Sequence, residues 1–112
     1  MTVYKILRRP EWVALRAAGR TDGAPVDLAD GYVHLSTAGQ VRATAAKHFA
    51  GEDDLMLLAV DDAALGEALR WEPARGGEDF PHLYGPLPLS AVAWAQPLPL
   101  RGGAHAFPEG IP

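Results

Sequence analysis

The 112-residue chain contains no cysteine, which removes disulfides, thiolate metal ligands and cysteine nucleophiles together and fits a reducing compartment. It has no apolar run approaching the roughly 20 residues that span a bilayer. Its opening, MTVYKILRRPEW, shows no basic region followed by an apolar stretch and a small-residue cleavage site. These absences predict a cytoplasmic protein with no membrane segment. The glycine-rich phosphate patterns GxxxxGK and GxGxxG do not occur. Positive charge is also scarce: 10 Lys and Arg face 14 Asp and Glu, so no overall basic field draws a nucleic-acid backbone. Lys5, Arg8 and Arg9 form the tight basic cluster, and nucleic acid is not an expected partner.

What is present fits one compact domain over residues 1–112. VYKIL, residues 3–7, alternates as a first strand. Pro10 suits a first helical position, Glu11 the positive helix end and Gly19 a stop, which predicts a helix over 10–18 with Trp12 and Leu15 inward. RTDGAPVDLADG, residues 20–31, is rich in turn formers and reads as a loop and candidate lid. Val41, Ala45 and Phe49 mark a helix over 38–49, with Thr37 and Gln40 in the form of a capping box. DLMLLAV, residues 54–60, is an unbroken apolar run of strand length, as expected of a central strand covered on both faces. EALRWEP, residues 67–73, alternates again, setting Leu69 and Trp71 on one face as core and Arg70 and Glu72 on the other. Residues 74–89 hold three glycines and three prolines and are expected to be irregular over most of their length. SAVAWAQPL supplies a last strand, and 100–112 reads as a loosely held tail. This order predicts an α+β domain whose mixed sheet packs against two main helices.

The chemistry concentrates in DGYVHLSTAGQ, residues 30–40. On a strand Tyr32, His34 and Ser36 share one face, with Val33 and Leu35 on the other. Neighbours on that face lie roughly 6 to 7 Å apart. The spacing suits two contacts to one phosphate, ribose or carbonyl, and is too long for direct proton transfer between Ser36 and His34. The rival reading of His34 is a buried imidazole satisfied by backbone. That of Ser36 and Thr37 is a helix cap, although a helix start also offers free amides to an anion. Arg70 and Glu72 either pair with each other on a solvated face or hold a charged group and a hydroxyl of a substrate. Phe80, His82 and Tyr84, in EDFPHLYGP, either line a pocket or plug the edge of the core. His48 suits the negative end of its helix. His34, His82 and Glu72 lack the spacing of a zinc site, and no metal is expected.

The succession of VYKI with EW, DGYVHLSTAGQ, DDLMLLAVD, RWEP and FPHLYGPL resembles the bacterial family numbered 952 among the domains of unknown function, over about residues 3–99. The resemblance implies a fold like that of the ADP-ribosyltransferases, with a split sheet whose cleft binds nicotinamide adenine dinucleotide. VHLS, residues 33–36, is also similar to a run in the RNA 2′-phosphotransferases of that superfamily. By that analogy His34, Ser36, Glu72 and Tyr84 meet at one cleft, with Glu72 orienting a ribose hydroxyl. Family members tend to carry histidine after the first-strand tyrosine, where this chain has Lys5. An ammonium only donates hydrogen bonds, whereas an imidazole does both.

The expected function is a transferase or hydrolase acting on a nucleotide-like small molecule, with the dinucleotide as a possible substrate and no resident cofactor. His34 and Glu72 are its expected catalytic residues, and Lys5, Ser36, Thr37, Arg70, Phe80, His82 and Tyr84 its ligand-binding ones. The rival function is a non-catalytic module that binds a phosphorylated or carboxylated metabolite in the same cleft.

Overall fold

The computed structural model describes residues 1–111, and the side chain of Arg75 lies outside that description. Its first strand, β1 (Thr2–Arg8), leads into helix α1 (Arg9–Ala18). The Glu11 carboxylate accepts the Arg8 backbone N–H at 2.8 Å, Pro10 occupies the first turn, and Gly19 closes the helix at a φ of 80°. Leu15 is wholly buried and anchors the inward face.

Strand β4 (Leu55–Asp61) is the centre of the molecule. It pairs antiparallel with β1 on one side and with β8 (Val92–Pro97) on the other. Because side chains alternate, Met56, Leu58 and Val60 enter a core with Val3, Leu7, Leu15 and Leu83. Leu55, Leu57 and Ala59 enter a second core with Ile6, Val41, Ala45 and Leu98. The apolar run thus reads as expected: a strand covered on both faces.

A second sheet has β6 (Glu78–Leu83) between β3 (Val33–His34) and β5 (Leu69–Ala74). The two sheets touch at one bridge, where Tyr4 and Ser36 exchange backbone hydrogen bonds of 2.7 and 2.9 Å. Every pairing in both sheets is antiparallel, so the mixed sheet expected from the sequence is corrected to an antiparallel one.

Four further expectations change. Residues 20–31 are not simply a loop: β2 (Arg20–Thr21) pairs with β7 (Leu87–Pro88), and α2 (Pro25–Asp30) follows. Pro25 opens that helix, Asp27 accepts the Ala24 N–H at 2.7 Å, and Gly31 ends it at a φ of 86°. The stretch around FPHL is strand β6, because its period-two alternation prevails over its proline content. Trp71 is 41% exposed rather than core, although it shares its face of β5 with Leu69. Residues 100–111 are held in place: β9 (Leu100–Arg101) and β10 (Ala104–His105) form a hairpin, Ile111 is buried, and Arg42 donates to the Ile111 carbonyl at 2.8 Å.

Helix α3 (Val41–His48) is shorter than the expected 38–49 because residues 38–40 form a turn before it, while Gln40 makes the expected contact with Thr37. Its side-chain oxygen accepts the Thr37 N–H at 3.0 Å, while its amide nitrogen donates to the Asp79 carbonyl at 2.7 Å, tying α3 to β6. Among the described residues no helix is long and apolar enough to cross a membrane.

Candidate functional site

In the register of β3 and β6, His34 lies directly opposite His82, and Arg70 on β5 lies opposite His82 on its other side. Alternation then places Phe80 and Glu72 on the same face, away from Val33, Leu69 and Leu83, which face the core. That face looks into a cavity of about 720 Å³ between the two sheets, with Lys5, His34, Ser36, Phe80 and His82 among its walls.

Asp27, at 1% exposure, organises one end of the site. One of its oxygens accepts from Lys5 Nζ at 2.8 Å and from the Ala24 N–H. The other accepts from the His34 N–H at 2.9 Å and faces His34 Nδ1 at 2.5 Å. Burial alone would push this carboxyl up. The His34 hydrogen bond and the Lys5 ammonium outweigh it and lower it from 3.8 to about 2. Burial lowers the Lys5 ammonium, and Asp27 partly offsets that. Lys5 also donates to the His34 carbonyl at 3.1 Å. Glycine is required at Gly23, whose φ is 103°, because a Cβ there would meet the Asp27 carboxylate at 2.2 Å.

The far nitrogen of His34, Nε2, lies 3.0 Å from Asp30 at the end of α2. His34 therefore has a carboxylate against each ring nitrogen. Beside it the Tyr32 ring stacks on His82 with centroids 4.1 Å apart, and the His34 and His82 rings meet edge to face at 5.7 Å.

His82 Nδ1 lies 2.9 Å from Glu72 Oε1, which also accepts the Tyr84 hydroxyl at 2.7 Å. Those two hydrogen bonds, Tyr84 first, lower the Glu72 carboxyl, and the same bond to Glu72 raises the Tyr84 phenol. Arg70 lies over the Tyr84 ring at 4.9 Å.

Of the nine residues singled out in the sequence, Lys5, His34, Ser36, Phe80 and His82 line the cavity. Glu72, Arg70 and Tyr84 do not: they form an outer cluster that reaches the cavity through His82. Ser36 is buried and shares a hydrogen bond with Thr44 at 2.9 Å. Thr37 meets Gln40 and lies off the lining. Sequence reasoning missed Asp27 and Asp30. Their signal was present in PVDLAD: proline followed two places on by an acid marks a helix start, and Asp30 stands four residues before His34. Among the described residues no group of three or more acidic or histidine side chains is arranged to hold a metal ion.

Comparison with known proteins follows the same outline. The chain is similar to protein CC0527 from Caulobacter crescentus, whose crystal structure superposes with a TM-score of 0.91 at 50% identity, covering 95% of this chain and 94% of that one. The solution structure of CC0527 matches with a TM-score of 0.82 at 51% identity over 93% of this chain and 90% of that one. No curated protein matches. Residues 6–95 match the family described as protein of unknown function DUF952. With most of its length inside that match, the chain belongs to the DUF952 family.

Proposed function

We propose that the chain is an enzyme acting on a small nucleotide-like molecule, held in the cleft between the two sheets. The supporting observation is the pair His34 and His82, set side by side at the wall of a cavity of about 720 Å³. That volume lies in the range of small-molecule sites, roughly 300–1,000 Å³. Phe80 and Tyr4 offer apolar walls for a base, and Ser36 offers a hydroxyl for a sugar or phosphate. Kinship with the ADP-ribosyltransferases, with nicotinamide adenine dinucleotide as a substrate, belongs to this reading. Glu72 enters it through His82 rather than by gripping a ribose hydroxyl itself, since its Oε1 already accepts from both His82 and Tyr84.

One observation favours the rival, a binding module without turnover. Lys5, a cation in the cavity wall, is spent on Asp27 and the His34 carbonyl rather than held out to a substrate. Native mass spectrometry of freshly purified protein, followed by thermal shift with the dinucleotide, AMP and inorganic phosphate, separates the readings. The enzyme predicts stabilisation by a nucleotide and its slow conversion, both lost in His82→Ala. Stoichiometric binding with the nucleotide recovered unchanged selects the module, and no shift at millimolar ligand sinks both.

A further inference from the structure

We propose that the cleft selects a planar ring that carries an N–H or O–H donor at one end and a carboxylate or phosphate at the other, the donor inward on His82 and the anion outward on Lys47. This rests on the reading of the cleft as a small-molecule site and deepens it by naming the ligand's chemistry; turnover plays no part in it.

The inference comes from the polar atoms that the fold leaves over. Most polar groups in the cavity wall are already taken. Ser36 shares its hydroxyl with Thr44, Lys5 is bound to Asp27 and the His34 carbonyl, and His34 meets a carboxylate at each ring nitrogen. Arg8 is held by Glu52 at 2.8 and 3.2 Å, and Glu11 accepts the Arg8 N–H. The lining carboxylates Glu11 and Asp30 are therefore each answered, by Arg8 and by His34.

Two buried atoms are not taken. His82 is 4% exposed and Tyr4 8%, and both line the cavity. His82 spends Nδ1 on Glu72, and among the described residues neither its Nε2 nor the Tyr4 hydroxyl has a hydrogen-bond partner. Among those residues, too, no side-chain nitrogen or oxygen is both sealed from solvent and unbonded. Each of these atoms therefore opens onto space, and the space beside both is the cavity. A carboxylate only accepts, so Glu72 draws the proton of the neutral His82 ring to Nδ1 and leaves Nε2 as an acceptor. Water entering the cavity satisfies such an atom, and a ligand that displaces the water has to replace its hydrogen bond. For His82 that means an N–H or O–H.

The register orders the rest. Ser36 stands two residues beyond His34, which faces His82, and Tyr4 bridges to Ser36. A step of two residues is roughly 7 Å. Thr44 is hydrogen-bonded to Ser36, and Lys47 comes three residues later on α3, roughly 5 Å further along. The sequence of groups along the cleft is thus His82, then Tyr4, then Lys47, the length of a ring with a short side chain. Ile6, Leu35 and Phe80 supply apolar wall on the way. Lys47 is exposed at the mouth and has no hydrogen bond or ion pair among the described residues. With the other lining lysine and Arg8 tied to carboxylates, it is the cation left to meet an anion.

Dissociation constants of the full chain for three ring compounds test the assignment. 4-Hydroxyphenylacetate carries both groups, 4-fluorophenylacetate lacks the donor, and 4-hydroxyphenylethanol lacks the charge. Loss of the donor is expected to weaken binding about 10-fold, because it leaves a buried acceptor unmet, and His82→Phe should erase that difference. Loss of the charge is expected to cost about 3-fold and to fade in salt, since Lys47 is exposed. Lys47→Met should impose the same loss on the acid and none on the alcohol. In parent protein labelled with ¹⁵N-histidine, the hydroxyl compounds should shift the His82 Nε2 resonance and the fluoro compound should not, a readout that stands even where His82→Phe fails to fold. Equal affinity for the hydroxyl and fluoro acids, or an equal effect of Lys47→Met on acid and alcohol, overturns the assignment. AMP, with an amino donor on its base and a phosphate, is the fourth probe. Bound with the His82 shift and the Lys47→Met loss, it supports both this assignment and the nucleotide reading. The hydroxyl acid binding without AMP keeps the assignment and removes the nucleotide reading, AMP binding with neither signature does the reverse, and no binding of any probe at millimolar concentration overturns both.

Discussion

Asp27 and Glu72 each hold the Nδ1 of a histidine on the same short sheet, yet Asp27 is buried while the Glu72 side chain keeps 36% of its surface. Asp27 receives hydrogen bonds from a lysine, two backbone amides and an imidazole, and it joins β1, α2 and β3. Glu72 receives two and joins neighbours on one sheet. The same chemical pair is thus built once as part of the interior and once as a rim. In the first, failure of the carboxylate strands several buried donors. In the second, water replaces what is lost.

The widest separation between the two is expected on deletion. Asp27→Ala leaves the Lys5 ammonium buried without its partner, a situation that costs about 3–5 kcal/mol, read as a fall in the denaturant midpoint. Gly23→Ala should weaken the same knot from outside, by driving a methyl group into the carboxylate. A destabilisation by Asp27→Ala no larger than that of a surface substitution would mean that the two pairs are alike.

Acid gives the next largest contrast. Asp27 is lowered from 3.8 to about 2, so its contribution is complete above the unfolded value and fades as the pH falls from about 4 to about 2. The shift corresponds to roughly 2 kcal/mol. Stability of the parent chain should drop through that window, and the drop should be missing in Asp27→Ala. Lys5→Met comes third, at roughly 1–2 kcal/mol, because three N–H donors still hold Asp27 in place.

The rim was easier to read in the sequence than the buried knot. Glu72, His82 and Tyr84 stand out as polar and aromatic residues among strand-like and turn-like runs, and period two puts them on one face once the strands are known. Phe80 and His82 were grouped correctly while β6 itself was missed, since Pro81 and the glycines before it masked an alternation that pairing with two neighbours completes. Trp71 was misassigned because alternation gives the face but not how far along the strand that face is covered: Leu69 packs on the core, and two residues further on Trp71 is exposed. Asp27 was passed over because nothing local joins residue 27 to residue 5: that contact exists once β1 and the segment after α2 are brought together at the Tyr4 and Ser36 bridge. The continuous run in β4 and the caps of α1 were legible because their causes lie within a few residues of each other.

Glu72→Gln is the smallest expected perturbation of the fold and the sharpest test of what the rim is for. The amide keeps the volume of the carboxylate and retains an oxygen for the Tyr84 hydroxyl, and its surroundings are open to water, so the melting temperature should stay at the parent value. What changes is the acceptor facing His82. A carboxylate accepts at both oxygens and fixes the proton on Nδ1; an amide presents either its oxygen or its N–H₂ and no longer dictates which nitrogen of the ring is bare. If the rim serves only to finish the sheet, ligand affinity, turnover and the ring's proton position should be as indifferent as the melting temperature. If it orients His82 for the cavity, the proton position and turnover change while the fold does not, which is the one pattern that Asp27→Ala cannot produce.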